Sequence, residues 1–224
     1  MNFKHRLILA SNSPRRQFLM KEAGFDFTLD KPEGDESFSP SMPVNEVPGF
    51  LAEKKAQSIA HKLREDEVIL ASDTVVILDG QILNKPKDRV DAIAMLTQLS
   101  GKTHTVITAV CLLSKTKKDC FDDSTKVTFK KLREEEIVHY VDHFQPFDKA
   151  GAYGAQDCLP AGMNPCSQEE LDFLKSIKRS DLVNKTLTKS QSGIGMVAID
   201  KIEGSYFTVM GLPVHRVYSH LQQF

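Results

Sequence analysis

The fold class this sequence predicts is a mixed α/β sheet flanked by helices, and three observations carry it. Short apolar runs rich in β-branched residues alternate with segments of helical period. The spacing between them is too uneven for a regular βαβ repeat, and two hairpins interrupt the alternation. With 224 residues and 41% hydrophobic content, the chain can build one sizeable core or two closely packed lobes sharing a sheet.

Leu7 to Ala10 is a short buried strand. A helix follows at once, with Ser13 as N-cap, Pro14 at its first position, Phe18, Leu19 and Ala23 as its apolar positions and Gly24 as its terminator. Asp30 to Pro48, with its prolines and acids, reads as loop. A second helix then runs from about Pro48 to Leu63 on the spacing of Ala52, Ala56, Ile59, Ala60 and Leu63. Val68 to Leu78 is a buried strand, and Asp79-Gly80 turns it back into Gln81-Ile82-Leu83.

Asp88 caps a third helix carrying Ala92, Met95, Leu96 and Leu99 and ending at Gly101, and Val106 to Leu113 is the next strand. Thr125 to Phe129 alternates as a strand, and Ile137, Tyr140, Val141 and Phe144 form one face of a helix. Glycines then dominate from Gly151 to Gly154. The stretch from Asp157 to Gln191 changes character, with a short helix around Glu169 to Ile177, and reads as an insertion or lid. Met196 to Ile202 is a strand, Gly204 begins a turn, and Pro213 opens a last helix with Val214, Val217 and Leu221 on one face.

A net charge of −1 gives no global basic field of the kind that nucleic-acid binding by counterion release requires, so any anion site is local. The four cysteines form no CxxC pair in a chain too large to need disulfide staples; they read as reduced thiols, and the expected location is the cytoplasm. The apolar run Leu7 to Ala10 is too short for a signal sequence or a membrane span.

Arg15 and Arg16 occupy the first turn of the first helix, where the positive end of the macrodipole disfavours cations by roughly 0.3–1 kcal/mol each. An anion reverses that sign: a strand, a loop containing Ser11 and Ser13, and a helix N-terminus together make a phosphate cradle. Two solvated surface arginines are the other reading. Asp73 lies inside an otherwise apolar strand, and burying an unpaired carboxylate costs several kcal/mol, so a cation belongs beside it. It is either half of a structural ion pair or a metal-binding or catalytic carboxylate. The Asp79-Gly80 turn pairs residue 78 with 81, which puts Lys85 opposite Thr74 and next to Asp73 along the ladder. Lys55 lies at the edge of an apolar helix face, either reaching inward or solvated.

Three weaker signals are set aside. Gly101-Lys102-Thr103 ends like a P-loop but lacks the earlier glycine, His139 and His143 lack the glutamate of a zincin helix, and Cys158 and Cys166 have no metal-site spacing.

Six ordered segments together resemble the Maf family of nucleotide pyrophosphatases. They are Leu9 to Arg16; Asp35-Glu36 with Leu51 to Ala56; Ser72 to Val76 with Asn84-Lys85-Pro86; Ser100 to Thr108; Ala150 to Gln156; and Ile202 to Tyr206 with Gly211-Leu212-Pro213. The resemblance implies a single domain over residues 1–224, interrupted by an inserted segment at about 157–191. Its implied fold is elongated and two-lobed, related to the inosine triphosphate pyrophosphatases, with a nucleotide cleft between the lobes. It implies that Ser13, Arg15, Arg16, Lys55 and Lys85 hold a triphosphate, that Glu36 and Asp73 organise Mg²⁺ or Mn²⁺, and that Asp73 is the proton acceptor. Arg15, Thr74 and Gln156 match positions associated with base choice, and the Tyr153-Gly154-x-Gln156 form resembles the branch acting on dTTP and UTP. A homodimer is implied, with no nucleic-acid or membrane partner. The alternatives are a nucleotide-binding regulator of division and septum formation without turnover, and the 7-methyl-GTP branch. Asn84, where the family has glycine, and Phe50, where it is commonly polar, depart from the pattern.

Overall fold

The computed structural model describes residues 3–188 and 196–224. Its frame is an open seven-stranded sheet in the order β2-β1-β3-β5-β6-β7, with β4 paired to β3. The strands are β1 (Arg6–Ala10), β2 (Phe27–Asp30), β3 (Glu67–Leu78), β4 (Gln81–Leu83), β5 (Thr103–Leu113), β6 (Lys118–Phe129) and β7 (Ile199–Glu203). The helices are α1 (Pro14–Glu22), α2 (Val47–Ser58), α3 (Arg89–Leu99), α4 (Glu134–Phe144), α5 (Gln168–Ser176), α6 (Leu182–Thr188), α7 (Tyr206–Met210) and α8 (Val214–Leu221). β1 runs parallel to β2 and β3, and the remaining pairings are antiparallel, so the sheet is mixed as predicted.

β3 organises the molecule. Its run of apolar residues from Val68 to Ala71 is buried on both faces. α2 covers one face, seating Ala52, Ala56 and Ile59 on Ala71, Ala109 and Cys111; small residues on both sides let the helix approach closely. The other face belongs to the main core, where Leu9, Leu70 and Val110 meet Leu19 and Met20 of α1 and Val217 of α8. Burying each such large side chain contributes about 1.5–3 kcal/mol.

One edge of β3 is shared by two short strands, and this creates the cleft. β1 pairs up to Ala10 opposite Ala71, and β4 begins its pairing at Val76 opposite Leu83. Among the described residues, Ser72 to Val75 have no strand partner on that side. The turn that brings β4 back is the predicted one, with Leu78 opposite Gln81 and left-handed φ values of 50° at Asp79 and 76° at Gly80, as a two-residue hairpin requires. Asp88 caps α3 as expected, its carboxylate accepting from Asp91 N–H at 2.9 Å.

Several expectations need correction. The second helix stops at Ser58 and continues only as a 3-10 turn, Ala60–Lys62. β6 starts at Lys118, well before Thr125, because residues 118–124 alternate as a half-exposed ribbon rather than as a core strand. β2 falls where no strand was foreseen; four partly exposed residues on a sheet edge carry little apolar signal. The strand expected from Met196 begins at Ile199. The five-residue α7 was also missed, since Tyr-Phe-Thr-Val-Met is a strand-like composition.

The stretch after Gln156, expected as an insertion or lid, packs into the body of the molecule over its described residues; residues 189–191 lie outside them. Phe173, Leu174, Leu182 and Val183 are part of the main core. Arg179 Nη2 and Lys185 Nζ both reach Glu22 at the end of α1, at 2.8 and 3.0 Å. Glu170, fully buried on α5, accepts from Ser205 Oγ at 2.6 Å and from the Tyr206 and Phe207 N–H groups at 3.1 and 2.8 Å. A carboxylate so placed satisfies the otherwise unpaired donors at the start of α7.

Candidate active site

A cavity of about 400 Å³ opens where β3 lacks an edge partner. Its floor carries Asp73 and Thr74, and α1, α2 and the turn after β4 supply its cations. The segment around Gly154 closes the far end. Ser13, Arg15, Arg16, Glu36, Lys55, Asp73, Thr74, Lys85 and Gln156, all singled out in the sequence, line this one cavity.

The N-terminus of α1 opens into the cavity. Ser13 is in the N-cap position but its hydroxyl makes no capping bond; its own N–H donates to Ser11 Oγ at 3.1 Å. Pro14 removes one N–H, and no acidic residue neutralises the first turn. Arg16 is fixed from two sides, Nε donating to Gly211 O at 2.8 Å and Nη2 to Thr74 Oγ1 at 3.0 Å. Burial lowers its pKa, while Asp73 acts the other way and Arg15 adds to the lowering. Thr74 Oγ1 is also 2.9 Å from Thr108 Oγ1, which donates to Thr208 O at 2.7 Å. The carbonyl of Gly211, just after α7, therefore holds Arg16, and Glu170 holds the start of that helix.

Asp73 has the cation that its burial demanded. Lys55, only 12% exposed, reaches inward from α2 to Asp73 Oδ1 at 2.5 Å and to Glu36 Oε1 at 2.9 Å. Glu36 also faces Lys85 at 3.8 Å. Partial burial raises the Glu36 carboxyl, but the hydrogen bond and charge of Lys55, with Lys85 and Arg16 behind them, outweigh it and hold the group below its ordinary range. The result is a line of alternating charge, Asp73, Lys55, Glu36, Lys85. Lys85 enters this line through Glu36 rather than beside Asp73, because β4 ends at Leu83 and the ladder does not extend far enough to bring Lys85 alongside β3.

The far end was less legible. Asp148 joins Arg15 at 3.1 Å and Lys149 at 2.6 Å. Burial raises the Asp148 carboxyl, yet those two cations bring it below its usual value. Gln156 Nε2 lies 3.4 Å from Asp157 Oδ2, and Gln156 Oε1 is buried without a hydrogen-bond partner. Burial pushes the Asp157 carboxyl up, against Lys149 and Arg15. Gly154 is there for space: a Cβ on it would stand 2.5 Å from Asp157 Oδ2 and 2.9 Å from Gln156 Nε2. Sequence reasoning passed over Asp148, Lys149 and Asp157; the only available signal was opposite charges flanking a glycine-rich run. The P-loop-like Gly101 to Thr103, His139 and His143 lie outside this cavity, and the two histidine rings stack on each other at 4.0 Å.

The family model described as Maf-like protein matches residues 6–165, more than half of the chain and nearly all of the cavity lining. The chain belongs to the Maf-like family. A Bacteroides fragilis protein named dTTP/UTP pyrophosphatase is 38% identical to this Maf-like chain over 221 residues, covering 98% of it and 96% of the relative. A Flavobacterium johnsoniae protein of the same name is 37% identical over 218 residues, covering 97% and 94%. Among solved structures, the Staphylococcus aureus Ham1 protein matches with a TM-score of 0.41 at 15% identity over 55% of this chain and 71% of its own. A HAM1 protein from Coxiella burnetii gives 0.41 at 13% over 84% and 100%.

Proposed function

We propose that this Maf-like protein hydrolyses dTTP and UTP to the monophosphate and pyrophosphate with the help of a divalent cation. The single observation that carries the reading is that Arg15, Arg16, Lys55 and Lys85 surround Asp73 and Glu36 in one cavity. A triphosphate bears about four negative charges and needs such a clamp, and the relatives with this arrangement of sequence are named for that activity.

The residues divide the work by position. The N–H groups of the first turn of α1, with Ser13 and Arg16, hold phosphate oxygens; Arg16 needs no reorganisation, since Thr74 and Gly211 already fix it. Lys55 and Lys85 neutralise the leaving pyrophosphate. Lys55 takes Asp73 Oδ1, so Oδ2 is the one oxygen left both for the cation and for the proton of the water attacking the α-phosphorus, two roles that exclude each other at any one moment. Arg15, Thr74 and Gln156 face the nucleoside.

The donor set suits a hard cation. Two carboxylates, Glu36 and Asp73, share one lysine, and among the described residues no group of three potential ligands stands ready. Mg²⁺ and Mn²⁺ are held in this way, by one or two carboxylates completed by substrate phosphates and water. When bound, such a cation supplies charge neutralisation and lowers the pKa of the attacking water. The reading carries with it the cytoplasm as the place of work.

The test is pyrophosphate release from dTTP, UTP, CTP, 7-methyl-GTP and ITP with Mg²⁺ or Mn²⁺, for wild type and Asp73→Asn. Selective turnover of dTTP and UTP that falls by about 10²–10⁴-fold in the variant is expected. Binding without turnover of any nucleotide would instead favour the regulator.

A further inference from the structure

Cys111 on β5 and Cys120 on β6 stand directly opposite each other in the antiparallel register. Ser114 N–H donates to Lys117 O at the turn, and bonded and non-bonded rungs alternate from there. Leu112 and Asp119 form a bonded rung, so Cys111 and Cys120 form a non-bonded one. Side chains are closest on such rungs, where Cα atoms are about 4.5 Å apart. That lies within the disulfide range of roughly 4.4–6.8 Å. The two sulfurs are in direct contact, and both cysteines are free thiols.

The pair is asymmetric in the way thiol exchange needs. Cys120 is exposed and Cys111 is buried under α2, against Ala52 and Ala56. Contact with Cys111 holds the Cys120 thiol below its ordinary range although burial, Glu53 and Asp119 raise it, Lys118 acting against the two carboxylates. The same contact and burial push Cys111 up. Cys158 and Cys166 have no such partner: burial dominates both and pushes their thiols up.

We propose that Cys111 and Cys120 form a dithiol site that exchanges with a low-molecular-weight disulfide, RS–SR, to give a cross-strand disulfide pinning β5 to β6 beneath α2. The Cys120 thiolate attacks one sulfur of RS–SR, forming a mixed disulfide and releasing RS⁻, which takes up a proton as RSH. Cys111, losing its proton to solvent, then attacks Cys120 Sγ; the mixed bond breaks and a second RS⁻ leaves. The cysteine pair gives up two electrons and the small disulfide receives them. The new bond lies two residues along β5 from Ala109, the residue paired with Asp73.

The experiment uses the full-length reduced protein and oxidised glutathione, read by intact mass, non-reducing peptide mapping and thermal unfolding. The expected product has lost two hydrogens, joins the peptides containing Cys111 and Cys120, carries no glutathione, and melts about 5 °C higher because the link constrains the unfolded chain, the gain being modest since the loop it closes is short. Cys111→Ala should stop at a glutathione adduct on Cys120, and Cys120→Ala should take up no label at Cys111. A stable glutathione adduct on wild-type Cys120, or Cys111 still open to alkylation after denaturation of the treated protein, would overturn the proposal. None of these readouts depends on nucleotide turnover.

Discussion

The two ends of the cleft are made from different kinds of backbone. Asp73 sits in the middle of a strand and Lys55 in the last turn of a helix, elements of 12 residues each, locked together by one ion pair. At the other end, Asp148, Gln156 and Asp157 sit on 3-10 turns, and the chain passes through left-handed φ values of 68° at Gly151 and 59° at Ala152. The first end has regular elements to fix it, while the second depends on close approach and on what stands behind it. On the proposed reading the chemistry falls on the rigid end, common to all substrates, and base choice on Gln156 at the irregular end, with Arg15 of α1 and Thr74 of β3 beside it. Small changes there alter selectivity without dismantling the clamp.

The largest expected effect tests the rigid end. Lys55→Met keeps the apolar stem and removes the charge between Asp73 and Glu36. Loss of one preorganised charge contact should lower kcat/KM by about 10²–10³-fold, or about 3–4 kcal/mol. The division of labour further requires that the loss be the same for dTTP, UTP and CTP. A loss confined to one base would break the comparison, because Lys55 would then be reading the nucleoside.

The second effect separates the ends by pH. Behind Tyr153, at the irregular end, His104 is 2% exposed, its Nε2 2.8 Å from Tyr153 Oη and its Nδ1 without a partner. Burial lowers its pKa to about 4. A histidine kept neutral by folding takes up a proton more readily when unfolded, so its contribution is full above pH about 6.5 and is lost as pH falls toward about 4. The shift corresponds to about 3 kcal/mol. Urea unfolding at several pH values should show that slope in wild type and a flatter one in His104→Phe. Glu36 at the rigid end has a lowered pKa, so its contribution is lost only below the ordinary carboxylate range, and at 54% side-chain exposure it is small. Equal slopes in the two proteins would remove His104 from the account.

The same contrast explains what the sequence could show. A carboxylate in an apolar strand needs a cation, and Asp73 has Lys55. An Asp-Gly pair between apolar runs sets a register, and Leu78 does face Gln81. These inferences rest on local periods and on one costly charge. Lys85 was misplaced because register predicts pairing only as far as a strand persists, and β4 ends after three residues. Glu170 was illegible for a different reason. Nothing near it in the chain explains a buried carboxylate on α5, since its partners at Ser205 to Phe207 are more than 30 residues away. It acts on the site through the fold, by holding the helix whose following carbonyl fixes Arg16.

The smallest expected effect sharpens the irregular end. Gly154 has φ −110° and ψ 127°, a conformation open to any residue, so Gly154→Ala adds no backbone strain. What it adds is a methyl group 2.5 Å from Asp157 Oδ2 and 2.9 Å from Gln156 Nε2. One of those side chains must move, and the backbone that carries Asp73 and Lys55 need not. The ratio of kcat/KM for UTP over CTP should therefore fall by about tenfold, or about 1.4 kcal/mol, while the better substrate keeps a kcat within about twofold. An unchanged ratio with kcat reduced for every nucleotide would mean that the turn supports the clamp, and that the two ends of the cleft are not mechanically separate.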